Sequence, residues 1–351
     1  MLNLPAFKVA AVQAAPVFLD THATVRKAIA LIREAAAEGA ALVVFPEVFV
    51  PAYPYWSWVA NPVAASPWFQ KLCEAAVEVP GPEVAQIAQT ARDCGVHVAI
   101  GINERAARSV SLLYNTMLLI GPDGRLLGRH RKLVPTWAEK LSWAPGDGAG
   151  LRVHDTAIGP VGMLACGENT NTLARFSLLS QGELVHLASY IALPVAPPDY
   201  DMAEAIKLRA MAHSFEGKVY TVVACSTISP AIVDAMDGAF PGCRAQLERR
   251  NSAFSGVIGP DGRLVGQPLI DDEGIVYADI DLARCIQPRQ MHDITGQYNR
   301  FDVFDLRVDR RGLDAARFSD EGAPALPELL APAEPLSPSS SVSAALSAAR
   351  P

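Results

Sequence analysis

The sequence predicts a layered α/β fold, and two observations carry that prediction. Short strands rich in Val, Ala and Leu alternate with amphipathic helical patterns along most of the chain. A short motif also occurs twice: Ile120-Gly-Pro-Asp-Gly-Arg-Leu-Leu-Gly128 returns as Ile258-Gly-Pro-Asp-Gly-Arg-Leu-Val-Gly266. Each copy reads as strand, Pro-Asp-Gly turn and strand, a hairpin set by its turn residues. We read the repeat as a duplication that yields a four-layer α-β-β-α sandwich in a single domain. Two mixed sheets, each with antiparallel hairpins at its edge, pack face to face between helical layers.

The elements follow in order. Lys8–Val12 is a short apolar strand. Asp20 or Thr21 caps a helix whose apolar residues Val25, Ile29, Ile32 and Ala36 recur at helical spacing, and Gly39 ends it. Ala41–Phe45 is a buried strand that stops at Pro46-Glu47. A helix from Glu83 to Asp93 leads to the strand Val96–Gly101, and two strands flank the Gly121–Gly124 turn. Beyond them come a strand Val161–Cys166, a helix Thr172–Gln181, a strand Leu184–Ser189, a helix Met202–Gly217 and a strand Val219–Cys225.

Composition excludes several classes of function. The chain has 351 residues, half of them hydrophobic and 19% charged, enough apolar material for a large core. Its net charge is −7 and its longest basic cluster is Arg129–Lys132, so neither nucleic acid nor an anionic membrane surface is an expected partner. Residues 48–70 carry no charge, but Pro51, Pro54, Pro62 and Pro67 break them as a spanning helix. The six cysteines form no C-x-x-C and no zinc-finger spacing, and they read as reduced thiols in the cytoplasm. Neither a G-x-G-x-x-G after a strand nor a P-loop occurs, so we expect no cofactor and no metal.

Three places put a reactive side chain at a strand end. Glu47 follows the strand ending in Phe45-Pro46, at the lip of a sheet where α/β proteins carry their sites. Lys132 follows the return strand of the first hairpin, in Arg-Lys132-Leu-Val-Pro-Thr136. Cys166 ends the strand Val161–Cys166 and precedes Gly167, whose tolerance of strained dihedrals suits a sharp turn that presents the thiol. Taken singly, each has a plainer reading: a loop carboxylate, a surface lysine and a buried structural cysteine.

Glu, Lys and Cys in that chain order, within Phe-Pro-Glu47, Arg-Lys132-Leu-x-Pro-Thr and Cys166-Gly-Glu-Asn, resemble the nitrilase superfamily of carbon–nitrogen hydrolases. The resemblance runs from Lys8 to about Val308. It is closest to the nitrilase branch through Pro-Ala-Tyr53-Pro-Tyr-Trp, Pro-Thr-x-x-Glu139, Gly146-Asp-Gly-x-Gly150-Leu and His292-Asp-x-x-Gly-x-Tyr298-Asn-Arg. It implies a small-molecule nitrile as substrate, hydrolysed to acid and ammonia through a thioimidate and thioester on Cys166. Glu47 would be the general base, Lys132 the electrostatic stabiliser, and Glu139 the residue that orients Lys132 or shares protons with Glu47. It also implies dimers that build into spiral or filamentous homo-oligomers. Residues 1–318 then form the nitrilase-like catalytic domain. Residues 319–351 form a disordered tail, since Pro, Ala and Ser supply 20 of the last 31 positions.

All five tryptophans lie in the segments after Glu47 and Lys132, which suits an apolar or arylalkyl pocket or a subunit interface. Tyr53, Trp137 and Asn169 are the pocket candidates nearest to catalytic positions. Gly167 joins them because many nitrilases carry Trp there, a bulky wall that this sequence lacks. Competing readings are an amidase or a cyanide hydratase or dihydratase of the same superfamily. Outside it stand a Cys–His thiol hydrolase with His130 or His186 as base, and a scaffold that keeps only the fold.

Overall fold

A computed structural model of the chain describes residues 4–107 and 109–313. The stretch 319–351 read above as a disordered tail lies outside the described residues. The first half runs β1 (Ala6–Gln13), α1 (Thr21–Ala37), β2 (Ala40–Val44), α2 (Trp56–Val59), α3 (Pro62–Ala75), α4 (Pro82–Cys94), β3 (His97–Arg105), β4 (Leu113–Ile120) and β5 (Leu126–Arg131). The second runs β6 (His154–Thr156), β7 (Gly159–Ala165), α5 (Thr172–Leu179), β8 (Val185–Tyr190), α6 (Met202–Gly217) and β9 (Tyr220–Cys225). It continues with α7 (Pro230–Ala239), α8 (Arg244–Leu247), β10 (Phe254–Ile258), β11 (Leu264–Ile270), β12 (Gly274–Asp281) and α9 (Ile286–Arg289).

These strands form two six-stranded sheets, ordered β12-β1-β2-β3-β4-β5 and β11-β10-β9-β8-β7-β6. In each half three strands run parallel, β1-β2-β3 and β7-β8-β9, and the next two return antiparallel. The repeated motif occupies the same place in both: Ile120 pairs with Leu126 in the β4–β5 hairpin, and Ile258 pairs with Leu264 in the β10–β11 hairpin. Gly124 and Gly262 take φ of +79° and +76°, a left-handed turn position that glycine adopts without steric cost. The duplicated, four-layer architecture read from the repeat is therefore the observed one.

Alternation along the strands sets the layers. Val9 and Ala11 of β1 face the second sheet, where they join Val161, Met163, Leu187 and Val222 in the inter-sheet core. Ala10 and Val12 point the other way and pack with Val25, Ala28 and Ile32 of α1 and Ile87 of α4. Asp20 starts α1 by accepting from Ala23 N–H, as its residue type requires. On the outer face of the second sheet, Ala188, Tyr190 and Val223 pack against Met202, Ile206 and Ala210 of α6. Among the described residues no helix is long and apolar enough to cross a membrane. The uncharged 48–70 stretch folds as an irregular segment plus α2 and α3. Trp56 and Trp68 stack there at 5.9 Å inside a separate internal cluster.

Candidate active site

Beyond β2 the chain passes through Phe45-Pro46 to Glu47 while still bonded to β3. Phe45 N–H donates to Ala99 O at 2.8 Å, and Gly101 N–H donates to Pro46 O at 3.2 Å. A Cβ at Gly101 would collide with Pro46 O and Val48 N, so only glycine lets this backbone approach so closely. Glu47 N–H donates to Tyr190 O at 3.2 Å, which joins the strand ends of the two sheets. The Glu47 side chain is 1% exposed. Its Oε1 accepts from Lys132 Nζ at 2.9 Å and Asn115 Nδ2 at 2.6 Å, while its Oε2 has no partner.

Lys132 follows β5 and is equally buried. Its N–H donates to Asn115 O at 2.8 Å, so Asn115 on β4 fixes both the lysine backbone and the glutamate carboxylate. Lys132 Nζ also donates to Glu139 Oε2 at 2.7 Å. Glu139 lies in a single 3-10 turn, Trp137–Leu141, and has both oxygens occupied. Oε2 accepts a second bond from Thr136 N–H at 2.6 Å, and Oε1 accepts from the Tyr53 hydroxyl at 3.0 Å. Tyr53 in turn accepts from Trp58 Nε1 at 2.8 Å. Trp137 is 76% exposed and meets Trp58 edge-on, with ring centres 5.9 Å apart. Tyr53 is thus a buried support of Glu139, and Trp137 sits on the outside of the same chain of contacts.

β7 ends at Ala165, and Cys166 opens a 3-10 turn, Cys166–Thr170. The left-handed residue of this elbow is Cys166 itself, with φ +48°, and not Gly167 as expected. Gly167 permits a close approach instead: a Cβ there would press on Thr136 Oγ1, at 3.2 Å. Val48, directly after Glu47, has φ +40°, and Trp137 has φ +45°. Such conformations cost about 1–3 kcal/mol each for residues other than glycine and gather at sites where geometry is over-determined.

Two buried carboxylates brace the elbow. Glu168 Oε2 accepts from Ala165 N–H and His130 Nε2, both at 2.9 Å, and Oε1 accepts from Leu133 N–H at 2.5 Å. It therefore straps the Cys166 turn of one sheet to the residues flanking Lys132 on the other. Beneath the turn, Asn169 Nδ2 donates to Cys166 O at 3.0 Å. Asn169 Oδ1 accepts from His186 Nε2 at 2.7 Å, and the other nitrogen of His186 bonds Glu183 at 2.7 Å. His213 Nε2 takes the second Glu183 oxygen at 2.9 Å. Glu183, His186 and His213 have the composition of a metal site. Here each carboxylate oxygen already meets an imidazole nitrogen, and the chain of bonds ends on the carbonyl of Cys166. His130 and His186 are both committed to carboxylates, which opposes a Cys–His pair.

Burial pushes the Cys166 thiol well above its ordinary range; Glu47 adds to the shift and Lys132 opposes it without cancelling it. Burial likewise raises Glu47, against the pull of Lys132 and with the help of Glu139. For Lys132 burial disfavours the charge, but Glu139 and Glu47 outweigh it and hold the ammonium well above its usual range. Burial opposes the Glu168 charge too, and His130 with the N–H donors prevails and lowers its pKa. These shifts favour a protonated Cys166 thiol and a Lys132 ammonium, beside a Glu47 carboxyl with one oxygen unpartnered. Asn115, Glu183 and His213 escaped the sequence reading, in which Glu168 entered only as part of the Cys166-Gly-Glu-Asn motif and His186 only as the base of a competing thiol hydrolase. Of those that escaped, only Asn115 left a local signal, as a polar residue inside the apolar strand Leu113–Ile120.

Comparison with known proteins identifies related chains. The family model for carbon–nitrogen hydrolases matches residues 8–290. An aliphatic nitrilase of Rhodococcus rhodochrous is 37% identical over 313 residues, covering 87% of this chain and 83% of that protein. A nitrilase of Paraburkholderia phymatum is 36% identical over 328 residues, covering 92% and 94%. The crystal structure of the C. elegans NitFhit protein superposes with a TM-score of 0.67 at 18% identity, over 90% of this chain and 70% of that one, and so shares its fold.

Proposed function

The chain belongs to the carbon–nitrogen hydrolase family, and we propose that it is a nitrilase with Glu47, Lys132, Cys166 and Glu139 as its catalytic residues. One observation carries the assignment of roles. Of the two carboxylates bonded to Lys132, Glu139 has both oxygens occupied, whereas Glu47 Oε2 is free. Glu47 is therefore the group able to accept a proton, and Glu139 the group that holds Lys132.

Catalysis begins with transfer of the Cys166 proton to Glu47 as sulfur attacks the nitrile carbon. The raised pKa of both groups favours keeping that proton within the pair until substrate arrives. Glu47 returns the proton to the substrate nitrogen, giving a thioimidate. Water then adds with Glu47 as base, ammonia leaves, and a second water hydrolyses the thioester to the carboxylic acid. Lys132 offsets the negative charge of the tetrahedral intermediates. Gly167 lets Thr136 approach the backbone directly after the nucleophile, where a larger residue would have to displace it. The same reading carries a cytoplasmic homo-oligomer that needs no cofactor and no metal.

The experiment is a panel of aliphatic, aromatic and arylacetonitriles with the matching amides, scored by ammonia release. Turnover of nitriles at rates well above those of the amides is the expected result. Turnover of amides alone would replace this reading by an amidase, and turnover of hydrogen cyanide alone by a cyanide hydratase or dihydratase.

A further inference from the structure

Arg209 is half-buried on α6 beside the elbow, and its bonding is unusual for such a cation. Nε donates to Thr170 Oγ1 at 2.7 Å and Nη2 to the Tyr200 hydroxyl at 2.8 Å. Both acceptors are neutral, and among the described residues the guanidinium forms no ion pair. Thr170 closes the 3-10 turn that begins at Cys166. A partly desolvated guanidinium is ordinarily matched by a carboxylate or phosphate, because its planar fork of donors fits their oxygens.

A second donor faces the same place. Ala165 pairs with Ser189, so Tyr190 at the end of β8 stands beside Cys166. Tyr190 is fully buried, it shares one cluster with Cys166 and with Met202, Ile206 and Ala210 of α6, and its hydroxyl has no hydrogen-bond partner. Such an orphaned buried hydroxyl costs free energy unless a ligand supplies the acceptor. Arg209 bonds Thr170 in the turn that Cys166 opens, α6 packs on that turn, and Cys166 and Tyr190 share one cluster, so the three groups lie in one neighbourhood.

We infer that Arg209 and Tyr190 form an anion-binding subsite at the acyl end of the pocket, and that the preferred substrates are nitriles carrying a carboxylate on the acyl chain. A carboxylate offers two oxygens with several lone pairs, enough to accept from the guanidinium fork and the phenol together. This inference rests on the nitrilase reading.

The test compares ω-cyano acids of short chain length with isosteres in which an isopropyl group replaces the carboxylate, by kcat/KM for ammonia release. The wild-type enzyme should prefer the acid by about 10- to 100-fold, the range expected for a bond to a charged partner. Arg209→Met should lower that preference ratio by about tenfold or more. Arg209→Lys should retain part of it, since the charge stays but the fork is lost. Tyr190→Phe should lower it several-fold. A wild-type ratio near one, or an unchanged ratio in well-folded Arg209→Met, would overturn the subsite while leaving the nitrilase reading intact. Should neither nitrile release ammonia, that reading fails, and calorimetric binding of the acid and its isostere to Cys166→Ala then decides the subsite by the same ratio.

Discussion

At the scale of single residues, the account turns on how one lysine is shared by two carboxylates. Lys132 Nζ lies 2.9 Å from Glu47 and 2.7 Å from Glu139, and its charge is buried with theirs. If that charge stabilises the anionic intermediates, a neutral residue of similar length removes the stabilisation mainly from the transition state. Lys132→Met should therefore lower kcat on the order of 10²–10³, the loss typical of one such donor, while KM stays within a few-fold. An equal rise in KM with kcat preserved would instead make Lys132 a substrate-binding group. The acid limb of kcat/KM has a sign fixed by Glu47. Burial raises its pKa, and it must be ionised to accept the thiol proton. Activity should thus fall away on acidification at a pH above the ordinary glutamate range. Glu47, Lys132 and Cys166 were legible in the sequence because each stands where a strand or hairpin ends. Glu139 was legible only through the family resemblance, since a carboxylate inside a short 3-10 turn has no periodicity to mark it. Arg209 and Tyr190 were not legible, because their meaning depends on which groups they fail to meet.

At the scale of elements, the Cys166 turn is held from two sides by carboxylates that no local pattern announces. Glu183 bonds His186 three residues away and His213 thirty residues away, on adjacent parts of the second half. Only the packing of α6 against the β8–β9 region brings them together. Burial opposes the Glu183 charge, but His186 and His213 outweigh it and lower its pKa to about 2. His213 is lowered to about 4, chiefly by burial and then by His186, with Glu183 opposing. Both folded pKa values lie below the ordinary ones, so both groups stabilise the fold at neutral pH and lose that contribution on acidification. For His213 the loss begins near its ordinary value of 6.5 and is complete below about 4; for Glu183 it continues toward about 2. The His213 part amounts to something on the order of 3 kcal/mol. His213→Gln keeps a donor for Glu183 but cannot titrate. Its melting temperature should fall less steeply than that of the wild type between pH 6.5 and 4, as followed by circular dichroism. Identical slopes would contradict the arrangement. Most of the strands and helices read from alternation and caps lie within a residue or two of the observed ones, but β3 runs on to Arg105 past the expected Gly101, and α3, α7, β6 and β12 were not read. The position of the strain was not: a sequence places it on Gly167, and the backbone carries it on Cys166.

At the scale of the whole molecule, duplication explains why the site exists where it does. The first sheet delivers Glu47 beyond β2 and Lys132 beyond β5, and the second delivers Cys166 beyond β7. Neither half holds all of Glu47, Lys132 and Cys166, so the face-to-face packing of the sheets is what brings them together. The bond from Glu47 N–H to Tyr190 O and the Glu168 strap are the polar links that set its register. The framework is built from residues before Leu313, and we propose that the chain after Gly322 is dispensable for chemistry. A chain truncated there should melt cooperatively and turn over nitriles at a rate close to that of the full chain, with any change confined to its assembly by light scattering. A well-assembled but inactive truncation would contradict that view. The central claim is that Glu47, through its one free oxygen, moves the proton of Cys166, and Glu47→Gln tests it most directly. Incubation with a nitrile, followed by ammonia release and intact-mass measurement, should show steady-state turnover lost and, where acylation still leaks through, a covalent adduct trapped on Cys166. Turnover near the wild-type rate with no adduct would contradict the account, because no step of the mechanism proceeds without that carboxylate.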